Sequence, residues 1–175
     1  MAEILPEKWM RGVAVTTTIL AVCTAIAGSR GTACVAKNQL LTSQEGSKWA
    51  YYQAKSIKQN LAETQRTAFS AQMFTAQNPQ EQEFLQKALT AYRVDIERYD
   101  KEKNQIKQEA EALAKENRVI ERRWNQFSLA VVFFQIGIML SSVSALLRRK
   151  EMWIIGLVSG VIGLVSLVNA IFLLF

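Results

Sequence analysis

The side chains with the widest chemical range in this sequence are two thiols, Cys23 and Cys34. A thiol becomes a strong nucleophile when nearby cations lower its pKa, and Cys34 has Arg30 and Lys37 one helical turn to either side. Covalent catalysis also needs a base to take the proton, and the chain contains no histidine. Two cysteines without histidine fall short of a zinc set or a disulfide framework. Carboxylates are plentiful, but Glu109, Glu111 and Glu116 alternate with Lys and Arg and read as solvated charges on a helix surface. The chain is therefore not expected to be an enzyme, and no catalytic, cofactor or metal residue is assigned.

Other polar atoms stand in apolar surroundings. Gln135 and Asn169 are single amides inside long uncharged runs. A buried amide there needs a hydrogen-bonding partner on a neighbouring helix, or else lines a pore. No ionisable side chain lies within those runs, which argues against a proton relay or an ion-coupled transporter. Gly156, Gly160 and Gly163 share one helical side with Ser159, Ser166 and Ala170. Gly156 and Gly160 form a GxxxG pair, the pattern of close helix packing within or between subunits. A similar set of small residues runs through Ala14, Thr17, Ala21, Thr24 and Gly28. Trp49, Tyr51 and Tyr52 cluster beside Lys48, Lys55 and Lys58; they read as a subunit contact, or as a ligand-contacting patch.

The elements that must position these residues follow from segregation. Half of the 175 residues are hydrophobic while 21% are charged, and the two kinds are kept apart. The net charge of +6 is mixed with acids rather than clustered, so nucleic acid is not an expected partner. After a tail over 1–11, residues 12–29 are uncharged and about 18 long, near the lower limit for a membrane crossing. Ala25-Ile26-Ala27 resembles a signal-peptidase site and Leu20-Ala21-Val22-Cys23 a lipoprotein site, but an uncleaved span is expected. Residues 124–147 and 152–175 form two further spans around a basic loop at 148–151. Trp9, Trp124 and Trp153 stand at span ends, where interfacial aromatics belong.

Residues 30–123 carry the periodicity. Leu85, Leu89, Tyr92, Ile96, Tyr99, Lys103, Ile106, Ala110, Leu113, Asn117, Ile120 and Trp124 step by four and three, the repeat of a coiled-coil seam. Lys103 and Asn117 interrupt it; they set register, or the lysine stem lies along the seam with its amine in water. A ladder of small residues precedes it: Ala33, Ala36, Leu40, Ser43, Ser47, Ala50, Ala54, Ile57, Leu61, Thr64, Ala68 and Ala71. It is expected to face the first, small residues against large. Asn78-Pro79 marks a turn, so the tip of an antiparallel hairpin is expected near 75–81. The expected fold is thus an all-α membrane protein: three transmembrane helices, with a long antiparallel coiled-coil hairpin between the first and second. Lys8, Arg11, Arg148, Arg149 and Lys150 favour the cytoplasm for tail and loop, which puts the hairpin on the far side; Arg30, Lys37, Lys115, Arg118, Arg122 and Arg123 argue the opposite but flank a long segment.

The run Lys48-Trp49-Ala50-Tyr51-Tyr52-Gln53-Ala54-Lys55-Ser56-Ile57-Lys58 resembles an uncharacterised bacterial membrane family, domain of unknown function 4337. The resemblance extends over the first span, the helical pair and the terminal spans. It implies a bacterial inner-membrane protein and carries no catalytic or ligand residue. The expected role is a membrane-anchored homo-oligomeric scaffold, since a two-helix hairpin leaves an apolar edge (Tyr51, Phe69, Phe84) to be covered by a second copy. A pore built from several subunits and an adaptor subunit of another membrane complex are the alternatives.

Overall fold

The computed structural model describes residues 8–172; residues 1–7 of the tail and 173–175 of the third apolar run lie outside it. Three helices account for nearly all of the described chain: α1 (Lys8–Met73), α2 (Pro79–Leu147) and α3 (Lys150–Phe172). There is no strand among the described residues. Each helix contains a segment long and apolar enough to cross a membrane.

The helix ends follow local chemistry. α1 closes with tightened bonds from the Phe74 amide to the Ala71 carbonyl and from the Thr75 amide to that of Gln72, which also accepts from the Ala76 amide. Pro79 opens α2, where its missing N–H costs nothing. Asn78 caps it, its Oδ1 accepting from the Gln80 amide at 3.0 Å. Gly46 does not interrupt α1. Only Arg148 and Arg149 separate α2 from α3. Arg148 has φ 54°, and the Arg149 amide reaches back to the Ser144 carbonyl. That is the glycine-type helix end built on an arginine, at a cost of about 1 kcal/mol.

The chain divides into two compact units, one made from 1–39 with 117–175 and the other from 40–116. In the second unit α1 and α2 run antiparallel: Lys48 pairs with Glu109, Lys55 with Glu102, and Phe69 stacks on Tyr92 at 5.6 Å. On α2 the positions from Leu85 to Leu113 of the expected ladder are all buried or half-buried. On α1 the expected ladder is overturned. Leu40, Ile57 and Leu61 are 58%, 68% and 59% exposed, and the Ala, Ser and Thr rungs face out with them. The inward positions Leu41, Lys48, Lys55, Ala62 and Phe69 lie one residue on, and Tyr52 and Gln59 two residues on from Ala50 and Ile57. One residue turns a helix face by about 100°. The reason is on α2, whose Tyr99, Glu102, Lys103 and Glu109 suit long polar stems better than small apolar groups. The Lys48 and Lys55 stems lie inward while their amines reach carboxylates. Phe69, expected on the open edge, is instead half-buried against Tyr92.

In the first unit the helices pack around Leu20, Ala27, Phe127, Ala130, Phe134, Leu167 and Ala170. The seam passes from Ile120 to Phe127, and Trp124 is 41% exposed rather than seam-facing. Around those large side chains the inward positions are filled by small residues, while many large ones face outward. Gly156, Ser159, Gly160 and Gly163 are buried, while Val15, Ile19, Val132, Met139, Val158 and Val165 are exposed. The threonines of the first apolar run satisfy themselves. Thr16, Thr18 and Thr24 donate to carbonyls one turn back at 2.9, 2.9 and 2.7 Å, and Thr17 does likewise to Val13. Their hydroxyls therefore add little polar cost to an apolar environment.

Candidate functional site

The aromatic cluster is real and cationic. The Trp49 and Tyr52 rings meet edge to face at 5.7 Å. The Lys55 amine sits 5.3 Å from the Tyr51 ring centre and 5.5 Å from that of Tyr99. The Lys103 amine lies 5.4 Å from the Tyr52 ring and donates to Gln59 Oε1 at 2.9 Å. Lys103 thus interrupts the ladder as a tether between α1 and α2. Tyr52 is half-buried, whereas Trp49 and Tyr51 remain exposed. The cluster divides its rings between the α1/α2 contact and the open face.

At its centre Lys55 pairs with Glu102 at 2.5 Å. The hydrogen bond from Lys55 holds the Glu102 carboxyl below its ordinary range; burial opposes this, and the Arg98 and Lys58 charges add to it. Lys55 is raised by the same hydrogen bond, with burial opposing and Tyr51 reinforcing. A depressed carboxylate stabilises the fold above its unfolded value of about 4.3 and stops doing so as pH falls through the folded value. A raised lysine contributes below about 10.4 and ceases to as pH rises through its folded value. The pair is therefore whole at neutral pH. Helicity melts of the full chain should show a loss on going from pH 7 to pH 3 that Glu102→Gln lessens. An acid loss identical in variant and wild type would deny the pair a role.

The glycines of the third apolar run pack within the chain. A Cβ at Gly156 would lie 3.0 Å from the Gly137 carbonyl oxygen; one at Gly160 would meet Leu20 at 2.8 Å, and one at Gly163 the Phe134 ring at 2.8 Å. Two cross-helix hydrogen bonds accompany them: the Trp153 indole donates to Thr16 Oγ1 at 3.1 Å, and Ser159 Oγ to the Phe133 carbonyl at 2.8 Å. Asn169 is buried at 8% exposure, as expected. Gln135 is not. It faces out from α2, in line with Ser128, Val132, Met139, Ser142 and Leu146 at steps of four and three. Its outward aim could not be read from one amide in an apolar run, because the inward side was taken by Phe134 and Gly137.

The thiols stay apart from catalytic company. Cys23 and Cys34 are both half-buried and reduced. No group of three potential metal ligands occurs among the described residues. Glu109 and Glu111 pair with Lys48 and Lys107 on the helix surface. A protein family described as a domain of unknown function (DUF4337) matches residues 9–173, nearly the whole chain. The chain belongs to the DUF4337 family. No curated protein and no solved structure matches it. The DUF4337 match covers both units, so the helical pair and the apolar three-helix unit are together what the family encodes. Sequence reading took Arg30 and Arg123 only as flanking charges and missed that both line one groove of this unit; their positions on separate helices gave no signal, although each stands at the edge of an uncharged run.

Proposed function

We propose that the protein is a membrane-anchored scaffold that assembles from copies of itself, in a bacterial inner membrane with the hairpin on the periplasmic side. The inside-out distribution of the apolar three-helix unit supports the anchoring. Glycine, alanine and serine inside with valine and isoleucine outside suits lipid, where close backbone packing replaces hydrophobic burial as the cohesive force. The basic connection of Arg148, Arg149 and Lys150 supports the orientation.

The observation that carries self-assembly is the outward ladder on α1. Leu40, Ile57 and Leu61, with alanines between, keep coiled-coil spacing on a face that the second unit leaves open. A polar helix pair gains nothing from such spacing unless another helix covers it. An identical face on a second copy is the cover that every such molecule has at hand. Burying Ile57 and Leu61 contributes about 3 kcal/mol per copy, or more than a hundredfold in association. Native mass in mild detergent should give a discrete multiple of the chain, and Ile57→Glu with Leu61→Glu should reduce it to the monomer. Trp49→Ala, at the rim, should weaken it less. A wild-type monomer would overturn the scaffold and favour an adaptor whose open face receives a different protein.

The pore remains the second reading because Gln135, Ser128 and Ser142 share one outward face of α2. In a sealed contact the Gln135 amides of neighbouring copies bond each other; in a pore they face water. With Cys23 and Cys34 replaced by alanine, Gln135→Cys should resist a membrane-impermeant thiol reagent. Rapid labelling would replace the sealed contact by a wet path.

A further inference from the structure

The geometry points to a binding groove for the phosphate of an anionic glycerophospholipid, between α1, α2 and the C-terminal end of α3. This rests on the reading that the apolar runs cross a membrane. The groove has a volume of about 470 Å³ and is lined by all three helices. Arg30 and Lys37 line it from α1 and Arg123 from α2, over a floor that includes Ile26, Phe127, Leu167 and Ile171. Arg30 directly follows the uncharged run 12–29, and Arg123 directly precedes the uncharged run 124–147. Both guanidiniums thus stand at the same membrane boundary, at the level where lipid phosphates lie.

Two features select the ligand class. The first is unmet hydrogen bonding. Arg123 Nε is buried with no acceptor, and neither Arg30 nor Arg123 has an ion pair among the described residues. A buried donor without an acceptor is costly, and a guanidinium fork matches two phosphate oxygens at once. The second is the floor. Free phosphate or an acidic peptide has no use for an apolar surface beneath its charge, whereas a phospholipid carries its glycerol and acyl chains there. Basic pockets between membrane helices take anionic headgroups on this combination of charge and apolar wall.

The test uses the full-length protein in mild detergent, with phosphatidylglycerol, phosphatidylcholine or inorganic phosphate added, read by thermal unfolding. Phosphatidylglycerol is expected to raise the melting temperature, and phosphatidylcholine and inorganic phosphate to leave it unchanged. Arg30→Gln with Arg123→Gln should weaken the phosphatidylglycerol effect about tenfold in concentration; Arg30→Lys with Arg123→Lys, which keeps the charge, should retain part of it. Equal stabilisation by phosphatidylcholine, whose phosphate is balanced by its choline, would overturn the selection of an anionic lipid. Stabilisation by inorganic phosphate alone would make it a free-anion site, and a glutamine variant as responsive as wild type would move the lipid elsewhere. Should the glutamine variant fail to fold, the comparison of the two lipids on wild type still decides. Recovery of the chain from the soluble fraction without detergent would instead defeat the membrane reading itself.

Discussion

Gly137→Leu is expected to unfold the three-helix unit. A Cβ at Gly137 would lie 2.9 Å from the Gly156 carbonyl oxygen and 3.1 Å from Leu20 Cδ1. The Gly156 carbonyl is backbone, so it can retreat only by moving α3 away from α2. Inserting a few methylenes into a packed core costs about 1–3 kcal/mol where side chains can shift. Here a backbone must shift, and the expected loss is about 3 kcal/mol or more, a large share of the 5–15 kcal/mol that ordinary domains possess. Thermal unfolding in mild detergent, followed by near-ultraviolet circular dichroism, measures it. Gly28→Ala is the control. Nothing lies within 4 Å of a Cβ there, so it should be neutral or more stable by up to about 1 kcal/mol through helix propensity. A Gly137→Leu protein that melts with wild type would mean that α2 and α3 do not approach at glycine distance.

Phe134→Ala should be nearly as damaging. Phe134 is 1% exposed and is the largest fully buried side chain among the described residues. In water such a truncation costs about 3–5 kcal/mol. In lipid part of the transfer contribution vanishes, because the alternative surroundings are as apolar as the core. The cavity and the lost dispersion contacts remain, so about 2–3 kcal/mol is expected. Gly163 supplies an internal check. Its Cβ would stand 2.8 Å from both Cδ1 and Cε1 of the Phe134 ring. Gly163→Ala alone should destabilise, and Phe134→Leu should relieve that clash. The double variant should be more stable than the sum of the single effects by about 1 kcal/mol. Strict additivity would show that ring and glycine are not in contact.

These residues also show what was legible beforehand. The glycines at 156, 160 and 163 announced close packing through spacing alone, though not whether it lay inside one chain. α2's ladder was legible because Leu85, Ile96 and Ile106 are large, apolar and regularly spaced, and a helix buries such a row. α1's inward face was not, because Lys48, Lys55 and Gln59 are polar by type. Their burial depends on partners more than forty residues away in sequence, Glu109, Glu102 and Lys103. An alphabet of apolar and polar residues ranks Leu40, Ile57 and Leu61 above them and selects the wrong side by one or two positions. Gln135 failed for a related reason: which side of a wholly apolar helix faces inward is decided by the shape of its neighbours, here Phe134 and Gly137.

The hydrogen bond from Trp153 to Thr16 joins positions 137 apart in the chain. Its consequence lies in the order of assembly. Closing a loop of that length from an unfolded chain carries an entropy penalty that no single hydrogen bond repays. The contacts between α2 and α3, by contrast, need only the turn at Arg148 and Arg149, and those between α1 and α2 can propagate from the turn after Met73 one pair at a time. Each pair formed shortens the loop that the next must close. The Trp153 bond is therefore expected to come late, as a latch on an arrangement already reached from two short-range beginnings; hydrogen exchange should then find the amino-terminal segment of α1 the first part of the three-helix unit to open.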